Sequence, residues 1–135
     1  MSYIELPHTA DIKIRVTSES LEGLFSETAT AMMTILYGQT GPGAIRRTIS
    51  IGSDSPEELM TDFLSEVLYI SEVEGVVFSS FFVSLAGNSL TATLTGEPFD
   101  PRKHRGGTEI KGVSYSGLRI LKEDDAYVLD ILFDV

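Results

Sequence analysis

The chain has 135 residues, no Cys, and 20 acidic against 10 basic residues, a formal net charge of −10. This length suits one domain over residues 1–135 with a real core, and it is short for two. Without Cys, disulfides and thiolate metal sites are excluded. The acidic balance argues against independent, high-affinity nucleic-acid binding, which depends on Lys and Arg neutralising phosphates.

Hydrophobic residues make up 42% of the chain, which is ordinary for a soluble globular protein. No apolar run approaches the ~20 residues that a membrane span requires. Residues 1–5 lack the basic start and apolar block of a signal peptide. We therefore expect a cytoplasmic protein that has no membrane partner.

The first half of the chain alternates strands with helices. Strands are indicated where apolar and polar residues alternate, and helices where apolar residues recur at i, i+3 and i+4. Ser55-Pro56 is a strong helix start, because Ser caps and Pro fits the first helical position. The predicted elements are strand 12–16, helix 21–37, strand 45–51, and a helix from Ser55 that ends before Gly75.

The second half is predicted to contain strands only, at residues 76–85, 90–95, 108–121 and 127–133. The third of these is expected to bend or bulge near Ser116-Gly117. Short turns join the strands into two hairpins, which must be antiparallel. The order predicts an α+β protein with two layers, in which two helices pack on one face of a mainly antiparallel sheet of about six strands.

Carboxylates stand where the first and last predicted strands begin and end. Asp11 precedes strand 12–16, and Asp134 follows the last strand, next to Val135. If these strands are antiparallel neighbours, Asp11, Asp134 and the terminal carboxylate of Val135 crowd into one corner. Such a group repels itself unless a cation joins it, and oxygen ligands suit calcium or magnesium better than zinc. An Asp at the end of a strand is also common without a metal, so both interpretations are open.

Other recognisable chemistry is sparse. The two histidines, His8 and His104, lie in separate segments, so no His-x-x-x-His zinc pattern is possible. Walker, dinucleotide-binding and Gly-x-Ser-x-Gly motifs are absent. The chain is not expected to be an enzyme with its own complete active site.

A basic run at residues 102–105 stands out in this acidic chain. The simpler interpretation is a solvated, mobile loop. The functional one is a local contact with an anion or an RNA backbone.

Several segments together resemble the archease family, in matching order over nearly the whole chain. The segments are His8-Thr9-Ala10-Asp11-Ile12, Leu21-Glu22-Gly23-Leu24-Phe25, Asp62-Phe63-Leu64-Ser65-Glu66-Val67-Leu68-Tyr69, Gly96-Glu97-Pro98-Phe99-Asp100 with His104, Glu109-Ile110-Lys111-Gly112-Val113-Ser114-Tyr115, and Phe133-Asp134-Val135. One departure is Ser116, since archeases usually carry His at that position. If that His has a role in the family, the role is in doubt in this chain.

The resemblance implies a non-catalytic partner of an RtcB-type RNA ligase in tRNA splicing, which promotes ligase guanylylation and multiple turnover. RNA would be met only through the ligase. The family's metal-binding residues correspond to Asp11, Asp134 and Val135, with calcium, magnesium or manganese as the divalent cation. Two alternatives remain: a chaperone-like adaptor for nucleic-acid-processing proteins, and a calcium-binding structural domain.

Overall fold

The computed structural model describes residues 2–6 and 11–135. These residues form two helices and seven strands, and the predicted α+β class is confirmed. In chain order the elements are β1 (Ser2–Leu6), β2 (Asp11–Ser18), α1 (Leu21–Tyr37), β3 (Ile45–Gly52), α2 (Pro56–Glu74), β4 (Val76–Ala86), β5 (Ser89–Pro98), β6 (Gly112–Glu123) and β7 (Ala126–Asp134).

The strands pair antiparallel throughout, but they divide into two sheets where the sequence suggested one sheet of about six strands. One sheet has the order β1-β2-β7-β6, and the other has the order β3-β5-β4. Both predicted hairpins, β4–β5 and β6–β7, are present. They belong to different sheets because β3 pairs with β5 and β2 pairs with β7. Strand β1 was not predicted, since only five residues mark it.

A single hydrophobic core joins both helices to the inner faces of both sheets. The predicted packing of the two helices against antiparallel strands is confirmed, with two sheets in place of one. Met32 and Met33 are fully buried in the core, as expected. No helix in the described ranges is both long and apolar enough to span a bilayer. The largest fully buried side chains of the hydrophobic core are those of Phe25, Phe63, Phe78 and Phe133.

Local capping explains where the helices begin and end. The Ser20 hydroxyl accepts a hydrogen bond from the Gly23 N–H at 3.0 Å, and the Ser55 hydroxyl accepts one from the Glu58 N–H at 3.1 Å. These bonds satisfy amides that have no partner within a helix. Helix α2 ends at Gly75, whose φ of 65° is a left-handed conformation that glycine adopts without strain.

Strand β6 starts later than expected and carries the predicted bulge. Residues 108–111 are not in the strand, which begins at Gly112. The pairing with β7 passes from Ser114–Leu132 directly to Arg119–Asp130, so five steps along β6 match two along β7. The extra residues of the bulge include Gly117, which has a φ of 72°.

Glycine is required at position 96, where the backbone of β4 leaves no space for a side chain on β5. A Cβ on Gly96 would overlap the carbonyl oxygen of Val77 and lie 2.7 Å from the Phe78 Cα. Both obstacles are backbone atoms, which cannot rotate away. We expect Gly96→Ala to lower the free energy of unfolding by about 1–3 kcal/mol, the usual cost of overpacking.

Chemical denaturation of the parent and the Gly96→Ala variant measures this change. The matched control is Gly52→Ala at the other end of the same sheet, where the nearest atom to an added Cβ is 3.8 Å away. Equal unfolding free energies for the two variants would contradict the steric explanation.

Candidate functional site

The pairing of β2 with β7 brings the two predicted site carboxylates together. Asp11 is the direct cross-strand partner of Asp134. Side chains that face each other in this way have Cβ atoms about 4.5–5.5 Å apart. Asp11 is half-buried and Asp134 is exposed, so the pair lies at the surface, where the two central strands of the sheet begin and end. We call this pair of carboxylates the acidic edge. The predicted meeting of Asp11 and Asp134 is confirmed, while their binding of a metal stays a prediction.

Strand β6 leaves room beside this pair. Gly112 is the partner of Asp134 on its other side, and the Lys111 N–H donates to the Asp134 carbonyl at 2.7 Å. A Cβ on Gly112 would lie 3.6 Å from the Asp134 Oδ2. Glycine at this position therefore keeps a small space open beside the Asp134 carboxylate.

The oxygen atoms of Asp11, Asp134 and Val135 are of the kind that hard cations prefer as ligands. Asp11 and Asp134 offer carboxylate oxygens, and Val135 adds main-chain oxygen. Calcium takes six to eight oxygen ligands, and residues 2–6 and 11–135 contain no group of three His, Asp or Glu side chains that could hold a metal alone. Among the described residues, these groups alone do not complete the coordination of such a cation. The predicted motif residues His8, Thr9 and Ala10 lie outside the described residues.

An ion pair that was not predicted from the sequence lies farther along the same two strands. Arg15 faces Asp130 and donates two hydrogen bonds to its carboxylate, at 2.7 and 3.0 Å. The Arg15 hydrogen bond holds the pKa of Asp130 below its ordinary value, against the opposing effect of burial. The signal was present in the sequence, because Arg15 and Asp130 share the outward-facing parity of their strands.

The basic run at residues 102–105 is held in place more firmly than a solvated loop would be. The His104 side chain is fully buried, with its ring stacked on Phe99 at 5.8 Å between centroids. The Asp100 N–H donates to its Nδ1 at 2.9 Å, so Nε2 carries the proton and donates to Glu97 at 3.2 Å. The expectation of a solvated, mobile loop is therefore wrong for His104, while Arg102 and Arg105 are exposed.

Glu97 is the centre of this network. The Lys103 ammonium donates to both oxygens of its carboxylate at 2.9 Å. Hydrogen bonds from Lys103 and then His104 keep the pKa of Glu97 below its ordinary value, although partial burial acts in the opposite direction. The loop is then fixed to helix α1, since the Thr108 N–H donates to the Ile35 carbonyl at 2.7 Å.

The Glu97 network predicts a specific pH dependence. A carboxyl whose pKa is lower in the folded state stabilises the fold above its ordinary pKa of 4.5, and this contribution is lost as the pH falls through the lower folded value. We expect Glu97→Gln to lower the melting temperature at pH 7, and the difference from the parent to shrink as the pH falls below 4.5. Glu109→Gln, at an exposed position, is the control. A Glu97→Gln deficit that does not change with pH would contradict the role of the charge.

Known proteins resemble this chain over almost its full length. The profile of the Archease protein family matches residues 3–135. The protein archease of Methanosarcina acetivorans is 34% identical over 140 residues, which cover 98% of this chain and 95% of that protein. The protein archease of Methanopyrus kandleri is 30% identical over 143 residues, covering all of both chains.

Solved structures of two other proteins have the same fold as this chain. The solution structure of Methanobacterium thermoautotrophicum protein 1598 superposes with a TM-score of 0.84 at 27% identity, over 98% of each chain. The crystal structure of a Thermotoga maritima protein, described as an archease and possible chaperone, superposes with a TM-score of 0.68 at 23% identity, over 96% of this chain and 94% of that one. At that identity, the second likeness shows the fold alone. Together, the matching profile, the sequence relatives and the shared fold show that this chain belongs to the archease family.

Proposed function

We propose that this protein is a non-catalytic activator of an RtcB-type RNA ligase in tRNA splicing. It acts in the cytoplasm, promotes guanylylation of the ligase and supports its multiple turnover. The direct pairing of Asp11 with Asp134 is the observation that carries the proposal, because it places two carboxylates side by side at the surface in the acidic edge. The nucleotidyl group stays on the ligase, and RNA is met only through it.

The acidic edge suits a partner whose active site is rich in cations. The chain carries a net charge of −10, which favours a protein or metal-bearing partner over naked RNA. Asp11, Asp134 and Val135 would hold the divalent cation, with calcium as the first candidate and magnesium or manganese as alternatives. That cation would supply positive charge that relieves the repulsion between the two carboxylates.

The proposed mechanism is a population shift in the ligase. Binding at the ligase cleft through the acidic edge would favour the ligase conformation that is competent for guanylylation. Such a shift requires that the activator bind this conformation more tightly than the others. The Lys111–Asp134 main-chain bond and the β2–β7 ladder hold the backbone of the acidic edge, so it enters the contact preformed.

Removing one carboxylate of the pair tests the proposal. We expect Asp11→Ala to remove most of the stimulation of ligase turnover, because the backbone pairing persists while the anionic edge is halved. The measurement is guanylylation of the cognate ligase with GTP and a divalent metal, with and without each variant. Asp54→Ala, which removes an exposed acid before α2, is the control and should stimulate like the parent.

Circular dichroism and melting curves establish that Asp11→Ala is folded. A folded Asp11→Ala protein that stimulates turnover as well as the parent would overturn the assignment of the acidic edge.

A chaperone-like adaptor for nucleic-acid-processing proteins is the second candidate. It is favoured by exposed apolar side chains on α2 and β4: Tyr69 is 61% exposed, Val73 is 64% exposed and Phe82 is 75% exposed. Tyr69 and Val73 are four residues apart, so they lie on one face of α2. Exposed apolar side chains that share a face can contribute to an interaction surface, which a chaperone would require for its clients.

An aggregation assay separates the two functions. A chaperone should suppress aggregation of an unrelated, thermally unfolding client, and a Tyr69→Ser, Val73→Ser double variant should lose that effect while Asp11→Ala retains it. Under the activator proposal we expect no suppression by the parent at a one-to-one ratio. Suppression that requires Tyr69 and Val73 would favour the chaperone function.

A further inference from the structure

The outer face of the four-stranded sheet is hollowed into a groove. Its volume is about 490 Å³, and it lies between the floor formed by β2 and β7 and the bulge and turn of the β6–β7 hairpin. A smaller cavity of about 190 Å³ adjoins it beneath the bulge, and the two share Gly117 and Asp130. The groove falls within the roughly 300–1,000 Å³ of sites that bind small molecules.

Three cations line the middle of this face, although the chain as a whole is acidic. Asp130 lies between Arg15 on β2 and Arg119 on β6, which are its cross-strand partners on the two sides. Lys13, two residues before Arg15, lines the adjoining cavity. Three positive side chains thus surround one negative side chain.

Two of these cations are available to a ligand. Asp130 is already occupied by the two hydrogen bonds from Arg15. Across residues 2–6 and 11–135, neither Lys13 nor Arg119 forms a salt bridge. Lys13 does influence Asp130 through its charge, which contributes to the lowered pKa of that carboxyl. The middle of the groove therefore has an excess of positive charge suited to an anion.

The rest of the groove is lined by apolar side chains and then by carboxylates. Its lining continues over Leu121, Ala126 and Val128, and Leu121 is 47% exposed. Beyond this apolar stretch, Glu123 and Asp124 line the end nearest the hairpin turn. One groove therefore presents cations, then apolar surface, then carboxylate acceptors in sequence.

From this arrangement we infer that the groove binds a nucleoside phosphate. The phosphate is a dianion that takes charge-assisted hydrogen bonds from Arg119 and Lys13. The flat body of the nucleoside covers Leu121 and Val128, where apolar surface is otherwise exposed to water. Sugar hydroxyl or base amino groups donate to the carboxylates at the far end. The ligand is a free mononucleotide, and the phosphorylated end of an RNA strand, which shares this chemistry, is distinguished from it by the test.

This site is separate from the carboxylate pair and requires no ligase, so its test stands apart from that of the activator function. The probes are inorganic phosphate, guanosine, GMP, and an RNA trinucleotide with and without a terminal phosphate, each titrated into the isolated protein. Amide chemical shifts measure binding. We expect GMP to shift the amides of Gly117, Arg119 and Val128, and to bind more tightly than phosphate or guanosine alone.

Arg119→Gln should weaken GMP binding by about tenfold or more, since it removes a charged hydrogen-bond donor to the phosphate. The matched control is Arg46→Gln, on the outer face of the other sheet, which should bind like the parent. Tighter binding of the phosphorylated trinucleotide than of GMP identifies an RNA end as the ligand, and the reverse identifies a free nucleotide. Absence of shifts in the groove with every phosphorylated probe, or equal GMP affinity for Arg119→Gln and the parent, would overturn the inference.

Discussion

The antiparallel ladder between β2 and β7 is the constraint on which the rest of this molecule depends. It runs without a break from Asp11–Asp134 to Ser18–Tyr127 and joins the second strand of the chain to its last strand. Because side chains alternate between the faces of a strand, one register sends Ile14, Val16, Leu129 and Ile131 inward and every charged partner outward. A slip by one residue would bury the charges and separate the two aspartates, so the core fixes the position of the acidic edge.

The outer face of this sheet has an ordered distribution of charge. Acids occupy both ends, at Asp11 and Asp134 and at Glu123 and Asp124, and the cations lie between them. Strand β6 makes this possible through two local departures from regular strand geometry. Gly112 leaves space beside the acidic edge, and the bulge before Arg119 raises one wall of the groove.

Much of this architecture could be predicted from the sequence, because local periodicity decides secondary structure. Helix α1, the start of α2 at Ser55, both late hairpins and the bulge near Gly117 follow from residue spacing and cap chemistry. The division into two sheets could not be read in this way, since it depends on which distant strands pair. The burial of His104 was missed for a similar reason. Its partners Tyr37 and Phe99 are brought to it by packing, and a basic run gives no sign of a buried ring.

The position of β1 has a practical consequence for handling the protein. Ser2 pairs with Thr17, whereas Asp11 pairs with Asp134, so β1 starts at the opposite end of the sheet from the two aspartates. Six residues of strand separate these ends, about 20 Å. An affinity tag or fluorophore attached ahead of Ser2 would begin at the far end of the sheet from the carboxylates, while one appended after Val135 would begin directly beside Asp134. Assays of partner binding are best made with N-terminal fusions.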